Sequence, residues 1–289
     1  MKWTFSRLTL VVLVALAFIV WSQVIYGESA SSDNLEVAFL DVGQGDAIFI
    51  TLPNGEQALI DGGPDNTVLA QISDYMPPLD RKIEHIVLTH PHADHLNGLI
   101  KVLERYEVGT IYEARLSYES GAYRNWQEQI NLKKIARREI SQNDVLDWGG
   151  VAFEVLWPIS SALKGGGESN VNNSSVVGRL VYQQTAFMLT GDAETEAQKT
   201  LCDLGEAKLK SDVIKVAHHG SQNGTVTCFM EAVSPDWAII SSGKDNKFGH
   251  PHAVVLRILE EFVARTNILK TMEQGTVVCG SNGEVVNCK

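Results

Sequence analysis

The sequence predicts an α/β protein built as a four-layer sandwich, two β-sheets packed face to face with helices on the outside. Three observations carry this. Short apolar runs of strand length interleave with longer runs of helical period. Both halves of the chain place strands first and helices later, without a detectable repeat. Polar clusters recur where strands end, at Asp61, residues 90–95, Asp192, His218-His219 and His250-Pro251-His252.

In chain order, residues 35–42 alternate as a strand, Gly43-Gln44-Gly45-Asp46 forms a tight turn, and residues 47–52 form a second strand. Pro53-Asn54-Gly55 is a hairpin signal that returns the chain along residues 57–60 to Asp61-Gly62-Gly63. A helix follows over 68–75, stopped by Pro77-Pro78. The strand 85–88 runs into Thr89-His90-Pro91-His92-Ala93-Asp94-His95, and residues 96–106 have helical periodicity. Then come a strand at 108–112, a helix at 123–138 and a strand at 151–157. Within that helix Lys133, Lys134, Arg137 and Arg138 form a basic ridge, which as a charge run reads as a solvated face. Residues 160–173, rich in Gly, Ser and Asn, read as a mobile loop beside an active site. Strands at 176–182, 186–189, 212–217 and 237–241, helices after Ala193 and over 251–264, and a C-terminal hairpin complete the chain.

The N-terminus is different in kind. Lys2 and Arg7 precede an apolar stretch over 8–26, long enough to span a bilayer as a helix. The same pattern marks a secretory signal, so an uncleaved anchor and a removed signal both stay open. Either one keeps residues 1–7 in the cytoplasm and sends residues after 30 outward. Residues 27–34 read as a linker and 35–289 as one domain. The four cysteines have no zinc-ribbon or CxxC spacing. Cys279 and Cys288 flank a Ser-Asn-Gly-Glu hairpin signal, which favours Cys279–Cys288 and Cys202–Cys228 disulfides over free buried thiols.

The net charge is −11, and removing residues 1–30 takes away Lys2, Arg7 and Glu28 and leaves −12. That is not the footprint of a protein gripping nucleic acid by bulk electrostatics. Gly43-Gln44-Gly45 lacks the third glycine and following helix of a dinucleotide loop, and no Gly-x-Ser-x-Gly elbow is present.

His90-x-His92-x-Asp94-His95 carries the chemistry. At an extended strand end His90 and His92 project to one side and can share a metal, while Asp94 and His95 serve a second one as the chain turns into the helix. Asp61, before two glycines, is by itself better explained as a turn residue. His250 and His252 either touch substrate and supply a proton or fix the turn before the last helix.

The His-x-His-x-Asp-His run resembles the signature of the metallo-β-lactamase superfamily, and the likeness extends over residues 35–270. Within it the sequence is most similar to the hydrolase domain of the ComEC family of DNA-uptake competence proteins. The stretches that carry this are Phe39-Leu-Asp-Val-Gly-Gln-Gly-Asp46, Leu59-Ile-Asp-Gly-Gly63, Leu88-Thr-His-Pro-His-Ala-Asp-His95, Leu189-Thr-Gly-Asp-Ala-Glu194, Lys215-Val-Ala-His-His-Gly-Ser221 and Gly249-His-Pro-His252. The resemblance implies His90 and His92 as ligands of a first metal, Asp94 and His95 of a second, Asp192 as the bridge and His219 as the last histidine ligand. It places His218 beside the ligands and Asp61 as a hydrogen-bonding support of the ligand loop. Most of the superfamily has a further histidine upstream of the Thr-Gly-Asp strand, where this chain has Asn172-Asn173-Ser174-Ser175. An asparagine oxygen or water then completes the first site, or that site is weaker, and the oxygen-rich set keeps manganese open beside zinc.

The implied function is an extracytoplasmic metal-dependent hydrolase, a phosphodiesterase or nuclease acting on DNA through hydroxide formed at two divalent ions. In that role Asp94 and Asp192 hold the ions, and His250 or His252 protonates the leaving group. The partners it implies are DNA or another phosphodiester, the membrane through the N-terminal segment, and a separate DNA-uptake channel, because one span cannot import DNA. It would sit in the cell membrane with the hydrolase domain outside, or be secreted after signal cleavage. The alternatives are a metallohydrolase of a small ester, wall phosphodiester or lactam, and a non-catalytic metal-binding module.

Overall fold

Runs of β-branched and aromatic residues set the strands, and their pairing builds two sheets in the computed structural model, which describes residues 9–18, 34–159 and 171–289. The first sheet contains β1 (Leu35–Phe39), β2 (Ile48–Thr51), β3 (Gln57–Ile60), β4 (Lys82–Leu88), β5 (Glu107–Glu113), β6 (Ala136–Glu139), β14 (Val277–Ser281) and β15 (Val286–Cys288), in the order β15-β14-β1-β2-β3-β4-β5-β6. The second contains β7 (Val145–Trp148), β8 (Val151–Trp157), β9 (Val177–Tyr182), β10 (Thr185–Leu189), β11 (Val213–Lys215), β12 (Trp237–Ile240) and β13 (Ile268–Lys270), in the order β13-β12-β11-β10-β9-β8-β7.

Each sheet is half antiparallel and half parallel. Pairing turns parallel from β3 through β6 in the first sheet and from β10 through β13 in the second. Loops leaving the carboxyl ends of those parallel strands gather at one place, as ligand-bearing loops do in α/β sheets.

Three apolar layers hold the sandwich. Between the sheets, Phe39, Ile50, Val87, Trp148, Phe153 and Phe187 interlock. Outside the first sheet, the helices Thr67–Ser73, Ala93–Arg105 and Gly121–Lys133 bury Ile72, Leu99, Leu103 and Trp126. Outside the second, the helices Thr195–Cys202, Thr227–Val233 and Ala253–Phe262 bury Leu201, Phe229 and Leu259. The chain is thus the helix–sheet–sheet–helix arrangement that the element order implies.

One expectation fails. The helix expected over 123–138 ends at Lys133, because Lys134 turns left-handed (φ 56°) and donates its amide to Ile130 and Asn131. Ala136–Glu139 then pairs with β5 as an edge strand. Alternation sends Arg137 to the buried Glu113 carboxylate and Arg138 to Asp144 at 3.2 Å, so there is no basic ridge. The loop expected at 160–173 lies mostly outside the described residues. Of the apolar segment 8–26, residues 9–18 are described and are helical with Leu13 and Phe18 exposed, and the rest lies outside the described residues. Among the described residues no helix is long and apolar enough to cross a membrane.

Two disulfides close the structure. Cys279–Cys288 joins directly opposed residues of β14 and β15, and Cys202–Cys228 ties two outer helices across 26 residues. Closing a loop of that length removes about 3 kcal/mol of chain entropy from the unfolded state. The Cys202→Ser/Cys228→Ser protein is therefore expected to lose about 3 kcal/mol in denaturant unfolding. An unchanged midpoint would mean that helix packing alone sets the stability of this layer.

Candidate metal centre

The ligand loops are fixed by the Asp61 carboxylate and by main-chain hydrogen bonds. Asp61 sits at the end of β3 with φ 58°, a left-handed conformation that turns its carboxylate back toward β4. Its Oδ1 accepts the Thr89 amide at 2.8 Å and its Oδ2 the Thr89 hydroxyl at 2.6 Å. Gly62 donates to the His95 carbonyl at 2.7 Å, Gly98 to Gly63 at 3.0 Å, and Asp46 to Asp94 at 3.2 Å. Gly98 lies so close to the Gly62 carbonyl that any Cβ would collide with it, so the first turn of the Ala93–Arg105 helix rests directly on the Asp61 loop.

Side chains converge on this frame. Asp94, His95, Asp192 and His219 each offer a ligand atom, all within 4.8 Å of one another. His95 Nε2 is 3.4 Å and His219 Nε2 3.5 Å from Asp192 Oδ2, and His219 Nε2 is 3.3 Å from Asp94 Oδ2. The opposite ring nitrogens are already committed. His95 Nδ1 donates to Asp61 at 2.7 Å, and His219 Nδ1 to the Ser241 carbonyl at 3.0 Å. Such outer partners fix the tautomer and aim the free nitrogen.

On the other side of Asp192, His90 Nε2 is 4.0 Å from Oδ2 and 3.1 Å from His92 Nδ1. His218 Nε2 reaches the same oxygen at 3.8 Å, with its Nδ1 3.2 Å from Glu194. The Asn172-Asn173-Ser174 turn faces this side. Asn173 Oδ1 is consumed by the Glu194 and Ala197 amides at the start of the Thr195–Cys202 helix, and Asn172 donates to Glu194 at 2.9 Å. Asn172 Oδ1 is buried with no hydrogen-bond partner, and Ser174 is likewise buried in the turn.

His250 and His252 lie one step out. Gln44 Oε1 accepts the Gly243 amide, which turns its Nε2 toward His250 Nδ1 at 3.5 Å. His250 therefore accepts on Nδ1 and keeps its proton on Nε2. His252 Nδ1 accepts the Gln222 amide at 3.1 Å, and its own amide bonds Gly220, so it ties the His218–Gln222 turn to the last helix.

Electrostatics divide the histidines into two kinds. Burial opposes charge on His219, but Asp192 and Asp46 outweigh it and push its pKa up to about 10. Burial likewise opposes charge on His95, and Asp192, Asp61 and Asp94 together raise it well above the usual imidazole range. His90 goes the other way, driven far down by burial and by the His95 charge. His250 falls to about 4, from burial and then from His219, His218 and His252. The Asp192 carboxyl stays far below the carboxylate range despite burial, because His219 and His95 hold its charge.

The residues fit divalent metal. Buried His95 Nε2 and Asp192 Oδ1 have no hydrogen-bond partner, although buried polar atoms almost always find one. A mixed nitrogen and carboxylate set of this size suits zinc, manganese or iron alike.

Two further residues stand in the motifs of the resemblance without a role assigned from sequence. Lys215, at the end of β11, is fully buried and forms an ion pair with Asp46, while its Nζ donates to the Gly191 carbonyl at 3.0 Å and lies 3.9 Å from Asp192 Oδ1. Asp46 also lies 3.3 Å from His219 Nδ1. The pair joins the β1–β2 turn of one sheet to the ligand strand of the other. A lysine in a strand and an aspartate in a glycine turn look ordinary in sequence, and only long-range pairing marks them.

The sandwich and its histidine–aspartate centre define a class. The pattern of the metallo-beta-lactamase superfamily matches residues 40–244, and the chain belongs to that superfamily. Its curated relatives include a competence protein. It is 28% identical to ComE operon protein 3 of Bacillus subtilis, over 84% of this chain and 32% of that one. It is 30% identical to competence protein ComA of Neisseria gonorrhoeae, over 79% and 30%. The chain thus spans about a third of the length of these relatives. The metallo-beta-lactamase fold protein YhfI of Bacillus subtilis shares the fold, with a TM-score of 0.57 and 11% identity over 86% of this chain and all of that one.

Two outcomes are expected. His219 is protonated through the neutral range without metal, so each cation it binds must displace that proton and affinity rises as pH rises toward about 10. Calorimetric titration in buffers of different ionisation enthalpy reads this as proton release, and affinity that does not change with pH would contradict it. Lys215→Met strands Asp46 and should cost the metal-free protein about 3–5 kcal/mol in denaturant unfolding. A loss below about 1 kcal/mol would show that the carboxylate is compensated elsewhere.

Proposed function

We propose that the chain is an extracytoplasmic metal-dependent phosphodiesterase that cleaves DNA. The observation that carries this is the convergence of the half-buried Asp94 with the buried His95, Asp192 and His219 in a chain similar to ComE operon protein 3 and competence protein ComA. In this role Asp94, His95, His219 and Asp192 hold one divalent ion. His90, His92 and Asp192 hold a second, with His218 taking the place of the absent upstream histidine.

Bound zinc or manganese supplies a nucleophile from water at neutral pH and neutralises charge that builds on phosphate oxygens. The chain's own groups do the rest. Asp61 and Ser241 aim the two imidazoles, His219 and His95 keep Asp192 ionised, and Lys215 holds its loop through the Gly191 carbonyl. His250, neutral at physiological pH, presents its Nε2–H to the leaving oxygen as a hydrogen-bond donor. His252 acts through the turn it fixes and not on substrate.

Two disulfides support a location in an oxidising compartment. Lys2 and Arg7 ahead of the apolar run support a cytoplasmic N-terminus with the hydrolase domain outside, anchored or released. There the enzyme acts on DNA beside a separate uptake channel.

Metal-stripped protein supplied with manganese or zinc should cleave DNA, and Asp192→Ala should lose more than about 100-fold, beyond what loss of an outer partner costs. Gel analysis of labelled DNA checks this. Bound metal without cleavage of single- or double-stranded DNA would remove the nuclease and leave a hydrolase of smaller esters.

A further inference from the structure

The rings about the metal centre form an unbroken row of contacts. Between ring centroids, Tyr118 is 5.9 Å from His92, His92 is 4.7 Å from His90, and His90 is 4.2 Å from His95. The row continues from His95 to His219 at 5.4 Å, His219 to His250 at 6.4 Å, and His250 to Phe248 at 5.5 Å. A non-histidine aromatic therefore stands at each end of the histidine row.

Phe248 is 52% exposed, and a single exposed apolar side chain needs no explanation. Three features set this one apart. Its ring lies nearly parallel to that of His250, at 24°, and so belongs to the rim of the site. The loop beneath it is clamped. Asn246 Nδ2 donates to the carbonyls of Gly243 and His250 at 2.7 Å each, and its Oδ1 accepts the His250 amide at 2.9 Å. The clamp holds the chain in a closed turn with Phe248 at its exposed tip. Finally, the loop is locally basic in an acidic protein. Lys244 and Lys247 are exposed, neither is ion-paired among the described residues, and Asp245 is the one acid between 243 and 252. Lys247 Nζ hovers 5.2 Å from the Phe248 ring, a loose contact that leaves it free to swing to an arriving anion. At the Tyr118 end the exposed Arg115 lies 4.0 Å from Glu139 and Glu119 is exposed beside it, so the unpaired positive charge sits beside Phe248.

We propose that the rim of the centre, from Phe248 to Tyr118 across the buried histidines, is the track of single-stranded DNA. One unpaired base stacks on Phe248 and another, further along the strand, on Tyr118, Lys244 and Lys247 take phosphates beside Phe248, and a phosphodiester of the intervening stretch lies over the centre. The inference rests on the phosphodiesterase reading and adds the form of the substrate. Aromatic platforms with nearby cations are how sequence-tolerant single-strand sites are built. A duplex cannot use the track, because its bases are stacked on each other and offer no free face. With a net charge of −11, the protein as a whole repels the strand, so binding depends on stacking and on these two lysines.

The test is binding of a fluorescein-labelled oligothymidylate to the metal-free full chain, followed by anisotropy, beside a duplex of the same length. The single strand is expected to bind at least about tenfold more tightly than the duplex. Phe248→Ala should weaken single-strand binding about 5-fold or more, the equivalent of at least about 1 kcal/mol per stacked base, and Phe248→Trp should keep it. An unchanged thermal midpoint for both variants shows that the loop change is local. Equal binding of the two DNA forms, or alanine and tryptophan variants that bind like the parent, overturns the track. The metal-loaded parent is assayed separately on bis(p-nitrophenyl) phosphate. No turnover there, with single-strand binding intact and lost in Phe248→Ala, removes the phosphodiesterase reading and leaves the track standing.

Discussion

Four aspartates, Asp46, Asp61, Asp94 and Asp192, crowd around His95, and three of them are almost wholly withdrawn from water. Each ionised carboxylate taken out of water costs several kcal/mol unless it is compensated. The neighbourhood is organised around that cost. Lys215 and the His219 imidazolium balance Asp46 and Asp192, and Thr89 and His95 satisfy Asp61. A divalent ion among the same oxygens and nitrogens completes the balance. The sheets meet where they do because Asp46 belongs to one and Lys215 to the other.

The backbone makes that density of charge possible. Gly62 and Gly98 let a helix start against the loop of a neighbouring strand, and the amides of Gly62, Gly98 and Asp46 are spent on holding it there. The ligand geometry is therefore set by main-chain hydrogen bonds and not by side chains searching for a metal. Adding a Cβ at Gly98 would push the Ala93–Arg105 helix off the Asp61 loop and move Asp94 and His95 together.

Much of the fold was legible in the sequence, because hydrophobic period and turn residues act locally. Gln57–Ile60 and Val151–Trp157 fall where their patterns put them. What failed was an element whose fate is decided at a distance. Ala136–Glu139 reads as the end of a helix, and becomes a strand because Lys134 turns left-handed and the edge of β5 is open to it. The site follows the same rule. The histidines and aspartates of residues 90–95 stand together in the chain and declare themselves. Asp46 and Lys215 are 169 residues apart, and nothing near either one indicates that they meet. Phe248 was passed over for a different reason, since no pattern in a sequence distinguishes an exposed phenylalanine from a buried one.

The buried Lys215 has a consequence for the order of events in the life of the molecule. A centre whose carboxylates could be neutralised only by a cation would have to wait for that cation before closing. Here a resident ammonium group and a protonated imidazole carry positive charge of their own, so the two sheets can come together without waiting for it. Folding and metallation can then be separate steps, with the ion taken up by a finished vessel.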